Sequence, residues 1–323
     1  MSELRENKPS LEHLPVSLFA SVMGIAGLAI ATQKLETVYS LSTWSSSVIL
    51  GVSAIVWVGL FLAYAVKILK FPNAVVSELN HPIRLSFFPT ISIGVLLVSI
   101  GSMQLFPMAA ELLWWIGASS QLLFTLLILD RWIHHEHFRT EHNSPAWFIP
   151  IVGNILVPVA GAEFGYLEIS YFFYALGIIF WLPLLAISLN RAFFFSAIPK
   201  RLLPTLFILI APPAVGFISW LKLHSGNLDD FGIILFYVAV FLLLMLLVQA
   251  RHFIGLPFAL PWWAYTFPLA ALDIAGFAFY GVIPQAHYLY FAVSLYAVLA
   301  SVVLVVSFKT LQAGLKGSIF LPE

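Results

Sequence analysis

Few residues in this 323-residue chain have the type and spacing to do chemistry. The densest group is the string HHEHFRTEH, which places His134, His135, His137 and His142 beside Glu136, Arg139 and Glu141. Imidazoles spaced this way hold a transition metal if they converge and a second shell orients them. They also occur in solvated polar loops, and both readings stand. A second candidate is Asp273, alone near the middle of an apolar run. No Lys or Arg sits at a matching depth, so an ion pair is not expected. Asp273 is either a proton-coupling acid or a neutral, hydrogen-bonded or water-facing acid with a structural role. The third is Phe267, directly before Pro268 in the string PWWAYTFP. A bulky apolar ring beside a bend can plug a narrow conduit, because apolar constrictions gate by dewetting. There is no phosphate-binding loop, no Gly-x-Ser-x-Gly elbow and no His-Glu-x-x-His pair. The absence of cysteine excludes disulfides, Cys-based zinc sites and iron–sulfur clusters. These residues describe passage rather than catalysis; no enzyme activity, cofactor, metal or nucleic-acid partner is expected.

The elements that must position them are membrane helices. The chain is 61% hydrophobic and 9% charged, with a mean hydropathy of +0.98. Soluble domains carry about 25% charged residues, so lipid must be the main solvent. Ten apolar runs are read, at residues 14–32, 44–69, 82–103, 107–133, 145–163, 166–189, 199–223, 231–253, 257–282 and 286–311. All are expected to be helices, since an open strand edge facing lipid strands unpaired backbone groups. The reading is an all-α integral membrane protein, with an N-terminal segment at 1–13, a ten-helix domain at 14–312 and a tail at 313–323. The segment before the first run mixes Glu3, Glu6 and Glu12 with Arg5 and Lys8, so the first run is expected to be a retained helix rather than a cleaved signal.

Charge placement gives an orientation. Of the 15 Lys and Arg residues, only Lys34 and Lys222 fall between spans on the side opposite the termini, leaving thirteen on the other. The positive-inside rule then puts both termini in the cytoplasm of a cell membrane, inner or plasma.

Prolines give an internal repeat. Pro15, Pro82, Pro145, Pro199 and Pro257 open the odd-numbered spans, and a deeper set (Pro89, Pro150, Pro158, Pro204, Pro212, Pro213, Pro261, Pro268) lies within them. Within their interiors the even-numbered spans carry only Pro183. An interior proline frees a carbonyl and bends the helix, which lipid does not tolerate unless protein or water covers it. Five hairpins of one bent and one straight helix are expected to close into a ring, bent helices inside around a central pore. Polar residues within spans, among them Ser86, Ser92, Gln121, Asn154 and Thr266, are expected to join helices or satisfy bent backbone; Asn154, after Gly153 in a bent span, is the best placed of them to face the axis.

At the ninth span the sequence resembles a known family, that of the plant guard-cell slow-type anion channels and bacterial TehA, the tellurite-resistance/dicarboxylate transporter family. The matching pieces are Glu78, His81, Pro82, Arg84, Phe87 and Phe88 ahead of the third span, Pro145 to Asn154 in the fifth, Ala211-Pro212 in the seventh, and Trp262 to Pro268 in the ninth. The resemblance implies a homotrimer in lipid, each protomer with its own pore. It implies a phenylalanine plug at Phe267 and a second pore phenylalanine at Phe19; Phe88, Asn154, Pro212 and Thr266 are also expected to line the pore. The implied substrates are small anions such as chloride and nitrate; some members are described as carriers of malate, sulfite or tellurite. Three departures are visible: Val22 stands near the place of a first-span proline, Pro89 is shifted, and Asp273 replaces a small or neutral residue. An ionised acid beside an anion path raises the barrier by several kcal/mol if poorly screened.

The expectation is an anion-selective channel with a mostly apolar, weakly positive lumen. The alternative is a proton-coupled carrier or exporter of dicarboxylate, sulfite or tellurite oxyanions using Asp273.

Overall fold

The structure, a computed structural model, describes residues 9–134, 143–195 and 197–321. Among the described residues all regular structure is helical. Nine helices are long and apolar enough to cross a bilayer; they run over Val16–Val38, Trp44–Lys70, Arg84–Ser102, Pro107–His134, Leu167–Phe194, Lys200–Leu223, Asp230–Val248, Leu260–Val282 and Ala286–Leu315. A shorter apolar helix, Pro145–Gly161, completes the order as the fifth span. A further short helix, Pro72–Asn80, joins the second span to the third.

Even and odd spans are built differently. The even ones are continuous α-helices, and Leu167–Phe194 passes through Pro183 without a break. Each odd span starts as a 3-10 helix and continues as an α-helix. The pairs are Val16–Phe19 with Ala20–Val38, Arg84–Phe87 with Thr90–Ser102, Pro145–Phe148 with Ile149–Gly161, Lys200–Ile210 with Ala211–Leu223, and Leu260–Tyr265 with Thr266–Val282. The inner prolines mark the switch. Pro89 is the N-cap of its α-helix, and Pro150, Pro212 and Pro268 lie in the first α-turn. There a missing N–H breaks no intrahelical bond. The first span makes the same switch with no proline at it, so in this fold proline accompanies the change of helix type and is not its sole cause.

Burial follows the same alternation. In the most apolar window of each helix, 72–89% of the first, third, seventh and ninth spans is buried within the protein, against 17–39% of the even ones. Every residue of Ile149–Gly161 is buried. The first span packs on the third, the third on the fifth, the fifth on the seventh, the seventh on the ninth, and the ninth on the first. Each also packs on the straight helix that follows it. Small residues allow the first and ninth spans to meet closely: a Cβ on Gly24 would lie 2.2 Å from Thr266 Oγ1, and one on Gly27 2.8 Å from the Ala270 Cβ. The Ser10 N–H donates to the Phe320 carbonyl at 3.0 Å, so the first and last described stretches meet at one end of the bundle, as an even number of crossings requires.

Candidate apolar conduit and its charged ends

Where the five 3-10 helices give way to α-helices, a cavity of about 40 Å³ lies in the core. Its wall comes from Ser17, Ala20 and Met23 of the first span, Phe87, Thr90 and Ile93 of the third, and Ile149, Val152, Gly153 and Leu156 of the fifth. Ile208, Ala211 and Val215 of the seventh complete it with Leu260, Pro261, Trp263, Ala264, Phe267 and Pro268 of the ninth. Every odd span contributes and no even span does. The wall is almost wholly apolar, and the Thr90 hydroxyl is turned away into its own backbone, donating to the Phe87 carbonyl at 2.5 Å. The cavity has room for little more than one water, whose share of liquid volume is about 30 Å³.

Phe267 stands in this wall, 8% exposed. The other residues expected on a pore are placed elsewhere, between helices. Phe19 and Phe88 pack edge-on to Tyr64 of the second span, with ring centres 6.1 and 6.2 Å away, and Phe88 also leans on Phe124. Asn154 turns towards the fourth span. Its amide donates to Thr125 Oγ1 at 2.9 Å and to the Pro150 and Ile151 carbonyls, while its neighbour Gly153 presents backbone to the cavity. Thr266 donates to the Trp263 carbonyl at 2.7 Å and faces Gly24. Pro212 is buried outside the cavity wall. Asp273 is fully buried, and neither carboxylate oxygen has a hydrogen-bond partner among the described residues. It follows Thr266 by seven residues, about two α-turns, and so continues the stripe that faces the first span rather than the one carrying Phe267.

A period of three would have found the wall: Ser17, Ala20 and Met23; Phe87, Thr90 and Ile93; Pro261, Ala264 and Phe267. That spacing runs across the junction of the 3-10 and α halves in these three spans.

Sequence reasoning also missed a buried charge at the end where the described termini meet. Lys67, counted there only as a topology signal, is 1% exposed. Its ammonium donates to Glu78 Oε2 at 3.0 Å and to the Leu14 carbonyl at 2.8 Å. Tyr64 donates to the same carboxylate oxygen at 2.6 Å, and the Val16 N–H reaches Oε1 at 3.4 Å. The short helix Pro72–Asn80 brings Glu78 back onto the second span, so the cluster ties three segments together. Beyond it, His81 Nδ1 accepts from the N–H groups of Ile83 and Arg84, each at 3.2 Å, at the start of the third span. In the histidine string, His134 is exposed and paired with Asp130 at 3.2 Å. His135, His137 and His142 lie outside the described residues. Among the described residues no group of three or more His, Cys, Asp or Glu could hold a metal.

At the opposite end, Lys222 and Glu163 form a half-exposed ion pair. The carboxylate of Asp229 caps the eighth span there, accepting from the Gly232 N–H at 2.9 Å and the Trp220 indole at 2.7 Å. The Gly232 bond is the main reason its carboxyl is held below the ordinary carboxylate range.

The fold and its core thus define an integral, multi-pass membrane protein whose odd spans, part 3-10 and part α, are more buried than its continuous even spans, with a narrow apolar cavity at the switch points. The voltage-dependent anion channel (SLAC1) family profile matches residues 13–311, and the chain belongs to that family. It is 30% identical over 274 residues to the tellurite resistance protein TehA homolog of Haemophilus influenzae, covering 83% of this chain and 81% of that one. It is 29% identical over 274 residues to the S-type anion channel SLAH3 of Arabidopsis thaliana, covering 83% and 43%, and 24% identical over 289 residues to the guard cell S-type anion channel SLAC1 of the same plant, covering 86% and 52%. The chain spans about half the length of these plant relatives. The family consists of anion channels and transporters rather than enzymes.

Proposed function

We propose that the chain is an anion channel whose five odd spans form a ring around a conduit, with Phe267 closing it. The observation that carries this reading is the cavity wall, which draws on every bent span and on no straight one. The cyclic order of packing supports the ring, and the relatives named as anion channels support the cargo. The lumen binds its ion weakly. An apolar wall with exposed backbone, as at Gly153, offers no tight site, and weak binding suits conduction. The ten crossings, with both termini in the cytoplasm of a cell membrane, follow from the lysine and arginine distribution. A homotrimer with one pore per protomer, passing chloride and nitrate, is the assembly this reading adopts.

In this state the cavity is too narrow for a hydrated anion, and Phe267 is a bulky apolar group in its wall directly beside Pro268 at the helix switch. Replacing Phe267 with Ala is expected to raise anion flux about tenfold or more, equivalent to a barrier lowered by about 1.4 kcal/mol. Purified protein in planar bilayers or chloride-loaded vesicles checks this. Unchanged flux from a normally expressed variant removes Phe267 from the gate.

The carrier reading draws on Asp273, because a buried carboxyl without a partner is a functional candidate by default. Its stripe faces the first span instead of the cavity, which favours a structural role. The reversal potential separates the two: a channel follows the anion gradient alone, whereas a proton-coupled carrier follows the pH gradient too.

A further inference from the structure

The cavity wall points to a second site further along the same faces. In an α-helix each residue advances about 100° and about 1.5 Å. Lys34 follows Met23 by eleven residues, which returns it to within about 20° of the same face, about 16 Å further along. Lys222 follows Val215 by seven, again within about 20° and about 10 Å along. Glu163 follows Leu156 by the same interval, just past the end of its helix at Gly161. Lys34 and Lys222 therefore continue stripes that line the cavity, towards the end of the bundle away from the described termini, and Glu163 joins them there through its ion pair with Lys222. The matching positions on the remaining two odd spans, Ile100 and Ile274, carry no charge.

The electrostatics agree with that placement. Lys34 lies within electrostatic range of Lys222 and Glu163, which belong to the seventh and fifth spans. Yet the first span packs chiefly on the second, third, ninth and tenth. Glu163 pairs with Lys222. Among the described residues Lys34 forms no hydrogen bond or ion pair of its own. The adjacent Gln33 fixes this turn of the first span, its amide donating to the Gly101 carbonyl of the third span at 2.7 Å. Lys34 and the Lys222–Glu163 pair thus stand near one another at the end of the apolar passage.

We propose that Lys34 and Lys222 form a binding site for a small monovalent anion at the end of the conduit away from the termini, with Glu163 as a tethered counter-anion that an incoming ion displaces. The site deepens the channel reading above and rests on it for its role in permeation. Its physical basis is simple. The apolar cavity supplies no charge to attract an anion, so the attraction has to come from its approaches. A half-exposed cluster can exchange Glu163 for a free ion at little cost, because exposed ion pairs are weak.

The test pairs direct binding with flux on the full-length protein. Purified wild type and the variants Glu163→Gln, Lys34→Gln/Lys222→Gln and Lys34→Arg/Lys222→Arg are melted in detergent with sodium nitrate, against sodium gluconate at equal ionic strength. Flux from nitrate-loaded vesicles is then measured as a function of nitrate on the Glu163 side. The expected result is a nitrate-specific rise in melting temperature for wild type, a larger rise for Glu163→Gln and none for the double Gln variant. The double Arg variant keeps the effect, which guards against a folding defect. In flux, Glu163→Gln lowers the half-saturating nitrate concentration about threefold or more, and the double Gln variant raises it by as much. Equal nitrate-specific shifts in wild type and the double Gln variant, both conducting alike, overturn the site and leave the channel reading intact. Lysine-dependent binding in a wild type that carries no anion flux upholds the site and overturns the channel reading instead.

Discussion

Two lysine–glutamate pairs stand at opposite ends of the bundle, and their surroundings separate their roles. Lys67 and Glu78 have side chains 1% and 5% exposed, and two further donors and a carbonyl complete their bonding. Lys222 and Glu163 are 34% and 49% exposed, with a third charge, Lys34, in range. A buried pair has already lost its water, so removing one partner leaves a stranded charge. An exposed pair trades its partner for water or for an ion. The first suits a fastener that holds the start of the first span against the second; the second suits a place where ions come and go.

The comparison breaks most readily at the buried end. Replacing Glu78 with Ala strands the Lys67 ammonium and is expected to cost about 3–5 kcal/mol, read as a large fall in the unfolding midpoint of the purified protein. A loss below 1 kcal/mol would make the two clusters equivalent. Tyr64→Phe removes one hydrogen bond to the same carboxylate and is expected to cost about 1.5–3 kcal/mol by the same measurement. At the other end, Asp229→Ala removes a helix cap worth about 1 kcal/mol. The sign with pH follows from its carboxyl being held below the ordinary value of 3.8. Its contribution is complete above that value and fades as pH falls through the lower folded-state value, so wild type and variant converge in acid melts. Smallest of all, Glu163→Gln should shift stability by about 1 kcal/mol or less, and molar salt should shrink that difference further by screening.

How much of this was legible in the sequence depends on which helix type a stretch adopts. The alternation of proline-marked and proline-poor spans is plain in the order of residues, and burial follows it. Phe267 was singled out by its place beside Pro268 and by family resemblance. The other pore-lining expectations came from family resemblance and from polar or proline-marked places in the odd spans. A 3-10 helix turns about 120° per residue and an α-helix about 100°, so a face assigned on the wrong type drifts by about 20° at each step. Phe87 rather than Phe88 lies in the wall, and Gly153 rather than Asn154; the second pair sits within an α-helix, so helix type does not account for it. The Lys67–Glu78 cluster was illegible for a different reason. Nothing in the local pattern states that Pro72–Asn80 folds into a helix that carries its glutamate back to the preceding span. Lys34 and Lys222 were read as topology markers, since their convergence depends on the relative rotation of spans far apart in the chain.

The 3-10 halves also carry a dimension that the α halves lack. A 3-10 helix rises about 2.0 Å per residue and an α-helix about 1.5 Å. The longest of the five, Lys200–Ile210, has eleven residues. Recoiled as α-helix, that stretch would shorten by about 5 Å, roughly one α-turn, and would swing Ile208 relative to Ala211. The seventh span thus holds more spare length than any other inner helix, in the way a drawn-out spring holds travel.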